Sequence, residues 1–104
     1  MNNSINIDVM VQGYQALADP TRLRILKLLE HSTHCVCEIQ AGLRDIAPNL
    51  LSHHLRVLRE AGLVHAVRRG RWIDYSLNEA TLKQLREAIP QPQAHSTLCT
   101  CEAL

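Results

Sequence analysis

The chain has 104 residues, is 46% hydrophobic, and carries a net charge of only +1. That length sets a single domain over residues 1–104, with a core modest enough that oligomerisation is an expected source of stability. No apolar run is long enough for a bilayer and no signal-peptide pattern opens the chain, so the expected compartment is the cytoplasm, where thiols stay reduced.

The first six residues are polar. From there Ile7, Met10, Val11, Tyr14, Leu17 and Ala18 recur at helical spacing and predict an amphipathic first helix. Asp19-Pro20 opens a second helix, because Asp caps well and Pro suits the first helical position. With Leu23, Ile25, Leu26, Leu28 and Leu29, this is the most buried-looking helix of the chain. Ser32 or Thr33 can cap a third helix with Val36, Ile39 and Leu43 as its core stripe, and Gly42 with the DIAPN stretch ends it in a turn. A fourth helix runs from Asn49 to Ala61, with Gly62 as its stop and Leu51, Leu55, Leu58 and then Leu63 facing the core. The stretch LVHAVRRGRWIDYSL reads as two short strands turning at Arg69-Gly70. A last helix spans Glu79 to Ile89 and is ended by Pro90 and Pro92. Residues 91–104 form a tail with two cysteines.

The order is helix-helix-helix-helix-strand-strand-helix, a mainly α winged helix-turn-helix with the basic hairpin as its wing. A major groove admits one helix, whose N-terminal residues meet base edges. Asn49, Ser52, His53 and Arg56 fall on or near the face of the fourth helix opposite its core stripe, at about 100° per residue. Asn49 can pair with adenine and Arg56 with guanine or phosphate. Ser52, His53 and His54 can reach bases or phosphates. Arg68, Arg69 and Arg71 at the wing are placed for backbone phosphate, which sets affinity rather than sequence choice. Between Leu43 and Arg71, six arginines face one aspartate and one glutamate, a basic block inside a near-neutral chain. The expected partner is double-stranded operator DNA.

These residues resemble the ArsR/SmtB family of metal-sensing repressors. NLLSHHLRVLREAGLVHAVRRGRWIDYSL is similar to the family's reading helix and wing, DPTRLRILKLL to its second helix, and HCVCEI to its cysteine signature at the start of the third helix. The resemblance covers roughly residues 8–90. It implies a homodimer joined through the first and last helices, which binds its operator metal-free and leaves when an ion binds. It implies no enzyme. Cys35 and Cys37 match the paired cysteines of that signature. The family's arsenic sensors carry a third cysteine three residues on, where this chain has Gln40. Its cadmium/lead sensors draw thiolates from an N-terminal arm, and residues 1–34 here contain no cysteine. The helix 5 zinc site of other members is not expected, since Glu79 and Thr81 are followed by no histidine before His95.

The cysteines form two Cys-x-Cys pairs, Cys35/Cys37 and Cys99/Cys101. On a regular helix Cys35 and Cys37 would point about 200° apart, so joint binding of one ion requires a loosened first turn or an ion beyond the helix end. The helix dipole and free N–H groups there favour thiolate, and thiolates select soft ions. The expectation is that Cys99 and Cys101 complete a three- or four-sulfur site for As(III) or Sb(III), with Cd(II), Pb(II) or Zn(II) as alternatives. A reversible disulfide or persulfide between the two pairs is a further alternative.

Overall fold

The computed structural model describes residues 6–93. Helix α1 (Ile7–Leu17) is capped by Asn6, whose side chain accepts from the Asp8 amide. Helix α2 (Pro20–Leu28) starts as expected, with Pro20 in its first turn and the Asp19 carboxylate accepting from the Arg22 amide. Strand β1 (His34–Cys35) leads directly into helix α3 (Val36–Gly42), and a short turn leads to helix α4 (Pro48–Glu60). Strands β2 (Val64–Arg69) and β3 (Trp72–Leu77) form the wing, and helix α5 (Glu79–Ala88) follows an Asn78 cap.

The core gathers Ile25, Ile39, Leu51, Leu55, Leu58 and Leu63, all fully buried. The α4 stripe read from the sequence is therefore intact, and burying side chains of this size contributes about 1.5–3 kcal/mol each. Gly62 closes α4 at φ 77°, a backbone that favours glycine. Helix α2 is less buried than its leucines suggest. Ile25 and the capping Leu29 are inside, whereas Leu23 is 48% exposed.

Three differences bear on function. The sheet has three strands in the order β1-β3-β2, so the wing is tied back to the segment before α3 through His34↔Tyr75 and Cys35↔Asp74. Neither Ser32 nor Thr33 caps α3. That place belongs to Cys35, in extended backbone at φ −81° and ψ 168°, with its amide donating to Glu38 Oε1 at 2.9 Å. Finally, Arg69 pairs with Trp72, which moves the hairpin turn by one residue to Gly70-Arg71, with Gly70 at φ 63°.

Helices α1 and α5 pack together through Tyr14, whose hydroxyl donates to the Leu85 carbonyl at 2.8 Å, and through Gly13, which lies against the Leu85 side chain. Ile7, Val9 and Val11 of α1 are left exposed, and Ile89 is exposed beyond α5. No helix among the described residues is long and apolar enough to cross a membrane.

Candidate nucleic-acid interface and thiol site

Helix α4 presents Asn49, Ser52, His53 and Arg56 to solvent on one side, at i, i+3, i+4 and i+7. The Arg56 guanidinium lies 3.5 Å from His53 Nδ1, so the two form one polar patch. The helix begins with Ala47 at its cap and no side-chain capping bond, which leaves first-turn N–H groups unclaimed by side chains.

His54 does not join this surface. It is 8% exposed and points into the fold, which corrects the expectation of a DNA contact there. The physical reason is its register with Leu51, Leu55 and Leu58, one residue from the stripe's centre. Its Nδ1 sits 3.0 Å from Arg22 Nη1 and 3.9 Å from Asp19 Oδ2. Arg22 also donates through Nε to the Ala16 carbonyl at 2.8 Å. One polar cluster thus joins the end of α1, the start of α2 and the middle of α4. Burial pushes the His54 pKa below its ordinary value, and Arg22 and His53 act the same way against the pull of Asp19. Burial works upward on Asp19, but the Arg22 amide and the charges of Arg22 and His54 outweigh it and hold the carboxyl below its usual range.

The wing arginines are not equivalent. Arg69 is committed across the hairpin to Asp74, with Nε–Oδ2 at 2.7 Å and Nη2–Oδ1 at 3.0 Å. This pairing lowers the Asp74 pKa and raises that of Arg69. Arg68 and Arg71 are exposed beside the Gly70 turn, with Arg68 making one long contact to the Gly70 carbonyl at 3.4 Å. Sequence spacing alone did not reveal the Arg69–Asp74 pair, because it depends on the hairpin register.

The turn between α3 and α4 is held by Gln40. Its side-chain N–H₂ donates to the carbonyls of Leu43 at 3.1 Å and Ile46 at 2.7 Å. Arg24 of α2 grips Asp45 in the same turn through two 2.9 Å bonds, and this pairing lowers the Asp45 pKa. The position that lacks a third cysteine is therefore the position that fastens the helix-turn-helix.

Cys35 is buried and Cys37 exposed, and both are free thiols. Their sulfurs are 2.9 Å apart. The helical wheel placed them on opposite flanks, but Cys35 is the cap and not a helical residue, so its extended backbone turns the side chain toward Cys37. The contact with Cys35 raises the Cys37 pKa, with burial adding to it, while the Cys37 and Glu38 amides pull the other way. Glu38 is held below its usual range by the Cys35 amide and by His34, whose Nδ1 lies 3.3 Å away. Among the described residues no group of three or more His, Cys, Asp or Glu converges as a metal cluster. Cys99 and Cys101 lie outside the described residues.

A helix-turn-helix with a basic β-wing, read from one exposed helix face, defines a winged-helix DNA-binding regulator. Residues 19–66 match the family model described as bacterial regulatory protein, arsR family. The chain is 39% identical over 79 residues to the HTH-type transcriptional regulator MJ1325 of Methanocaldococcus jannaschii, covering 75% of this chain and 88% of that protein. It is 33% identical over 75 residues to the arsenical resistance operon repressor of Bacillus subtilis, covering 71% of this chain and 70% of that one. Two further curated repressors are longer, and the chain spans 51% and 58% of their lengths. Among solved structures, the homodimeric winged helix-turn-helix DNA-binding domain Mb0332 of Mycobacterium bovis superposes with a TM-score of 0.68 at 26% identity, covering 85% of this chain and 86% of that one. The chain belongs to the ArsR family, whose members are DNA-binding regulators and not enzymes.

Proposed function

We propose that this protein is a homodimeric repressor that binds operator DNA and is released when a soft metal or metalloid ion binds its cysteine thiolates, As(III) or Sb(III) foremost. The observation that carries this reading is the contact of the Cys35 and Cys37 sulfurs at the mouth of α3. Thiolates select soft ions, and the Cys37 and Glu38 amides at the helix start pull the Cys37 thiol toward the thiolate, against the contact with Cys35 that an ion would replace. The B. subtilis relative bears the name of an arsenical repressor, which supports the same inducer class. Apolar side chains left exposed on α1 and next to α5, together with the homodimeric structural neighbour, support joining through these helices. Asn49, Ser52, His53 and Arg56 would meet bases and nearby phosphates, with Arg68 and Arg71 on the backbone.

The thiol pair fits part of a metalloid site. As(III) takes three thiolates, and Cys99 or Cys101 supplies the remainder in this reading. Cd(II), Pb(II) and Zn(II) are alternative inducers for the same four sulfurs.

The fold offers a short path from ion to DNA. An ion held by both sulfurs would fix the spacing and direction of the pair and so pull on the cap of α3. Cys35 is the cap of α3 and the register partner of Asp74, which holds Arg69 of the wing. One turn further along, Gln40 fastens the start of α4. Displacing the pair thus acts on both the wing and the reading helix, and coupling of ion and DNA binding is reciprocal.

Sulfur-to-metal absorption and stoichiometry, measured on the parent chain and on a Cys99→Ser/Cys101→Ser variant, test the ligand set. Loss of one or two sulfur neighbours in the variant supports the four-cysteine site. Unchanged coordination removes the tail from it.

A further inference from the structure

Leu50, in the first turn of α4, is 45% exposed, whereas Leu51, Leu55 and Leu58 of the same helix are buried. It belongs neither to the core nor to the partly buried side chains packed against it. At about 100° per residue, the exposed polar arc of α4 runs from Ser52 through Arg56 and Asn49 to His53, and Leu50 follows about 60° beyond His53. A lone exposed leucine is ordinary on most protein surfaces. On this turn it is not neutral, because the first residues of a reading helix are the ones pressed against base edges in a major groove.

We infer that Leu50 reads the methyl group of one thymine in each operator half-site. This rests on the reading of α4 proposed above and adds a base preference to it. A leucine side chain neither donates nor accepts hydrogen bonds. Set against the amino group of cytosine or the acceptors of guanine, it would strip their water and replace nothing. Thymine alone presents an apolar group in the major groove, its C5 methyl, and contact with it removes apolar surface of both partners from water. Asn49, the preceding residue, carries the amide that matches the N6/N7 edge of adenine. The two neighbours thus favour A·T pairs, one through the purine and the other through the pyrimidine. In a homodimer the contact is made twice, once in each half-site.

The test uses the metal-free full chain and an operator that it selects from random duplex DNA. Each thymine is replaced in turn, in both half-sites, by deoxyuridine, which pairs identically and lacks only the methyl. Binding is read by fluorescence anisotropy at fixed salt. One methyl-sized contact corresponds to about fourfold in affinity, so one thymine position should cost the parent about 15-fold when both half-sites are changed. Leu50→Ala should bind the thymine and deoxyuridine operators alike, and Leu50→Met should restore most of the difference. If no position separates the parent from Leu50→Ala, the assignment of Leu50 is overturned. An Asn49→Ala/Arg56→Ala variant reports on the reading of α4 itself. With a flat deoxyuridine scan, loss of that variant's preference for operator over unrelated duplex overturns only the role of Leu50. A flat scan together with an unchanged preference overturns the reading of α4 as well.

Discussion

Gln40→Ala removes one side chain and unfastens two carbonyls. In the parent, Nε2 bridges Leu43 at 3.1 Å and Ile46 at 2.7 Å, closing the turn that sets α4 against α3. Both bonds are part-buried, so the freed carbonyls regain water only in part. At about 0.5–1.5 kcal/mol for each net hydrogen bond, the loss comes to roughly 1–3 kcal/mol. For a domain of this size about 4–8 °C accompanies each kcal/mol, so the melting temperature falls by roughly 5–20 °C. Operator affinity should fall further than a change in the folded fraction explains, because the turn positions the reading helix. Thermal unfolding followed by circular dichroism, and operator binding well below the midpoint, give the two numbers. A variant as stable as the parent and equally tight on DNA would refute the assignment of Gln40 as the turn's fastener.

Acidification should destabilise the protein through His54. Its folded pKa lies below the ordinary value, so its contribution is fully present above about pH 6.5 and is lost as pH falls toward the folded pKa. Asp19, also lowered, adds a loss of the same sign at more acid pH. His54→Gln should flatten the upper part of this curve, and urea midpoints measured across pH 5–8 would show it. On DNA, Arg71→Ala should weaken operator and non-operator binding alike and reduce the salt slope by about 0.9, whereas Arg69→Ala should change the slope less because Asp74 already holds Arg69. Ile7→Glu with Val11→Glu charges an apolar side of α1 that is otherwise exposed, and sedimentation should then show monomers that no longer bind operator.

Local chemistry made much of this architecture readable. Asp19-Pro20 marked a helix start because both residues act on their own backbone, and the Leu51/Leu55/Leu58 stripe oriented α4 because burial follows its period. What escaped depended on partners far along the chain. His34 and Cys35 have no marked strand tendency, and they extend because Asp74 and Tyr75 lie opposite them. That single pairing takes Cys35 out of the helix, brings two sulfurs together that a helical wheel separates, and connects the thiol site to the wing. The burial of His54 was hidden for the same reason, since its place depends on Arg22 and Asp19, more than thirty residues earlier. The over-reading of α2 came from counting leucines without knowing which side faces the core. Gln40 was legible only as a missing cysteine, because its turn-closing role requires the path of the turn itself.

We propose that an ion at Cys35 and Cys37 loosens the grip of this winged helix on DNA. Fluorescence anisotropy of labelled operator, titrated with the dimeric protein with and without arsenite, tests it most directly, with a Cys35→Ser/Cys37→Ser variant alongside. Arsenite should weaken binding by the parent about 5- to 150-fold for a typical coupling and leave the variant unaffected. Equal operator affinity with and without arsenite, antimonite, cadmium, lead and zinc would contradict it.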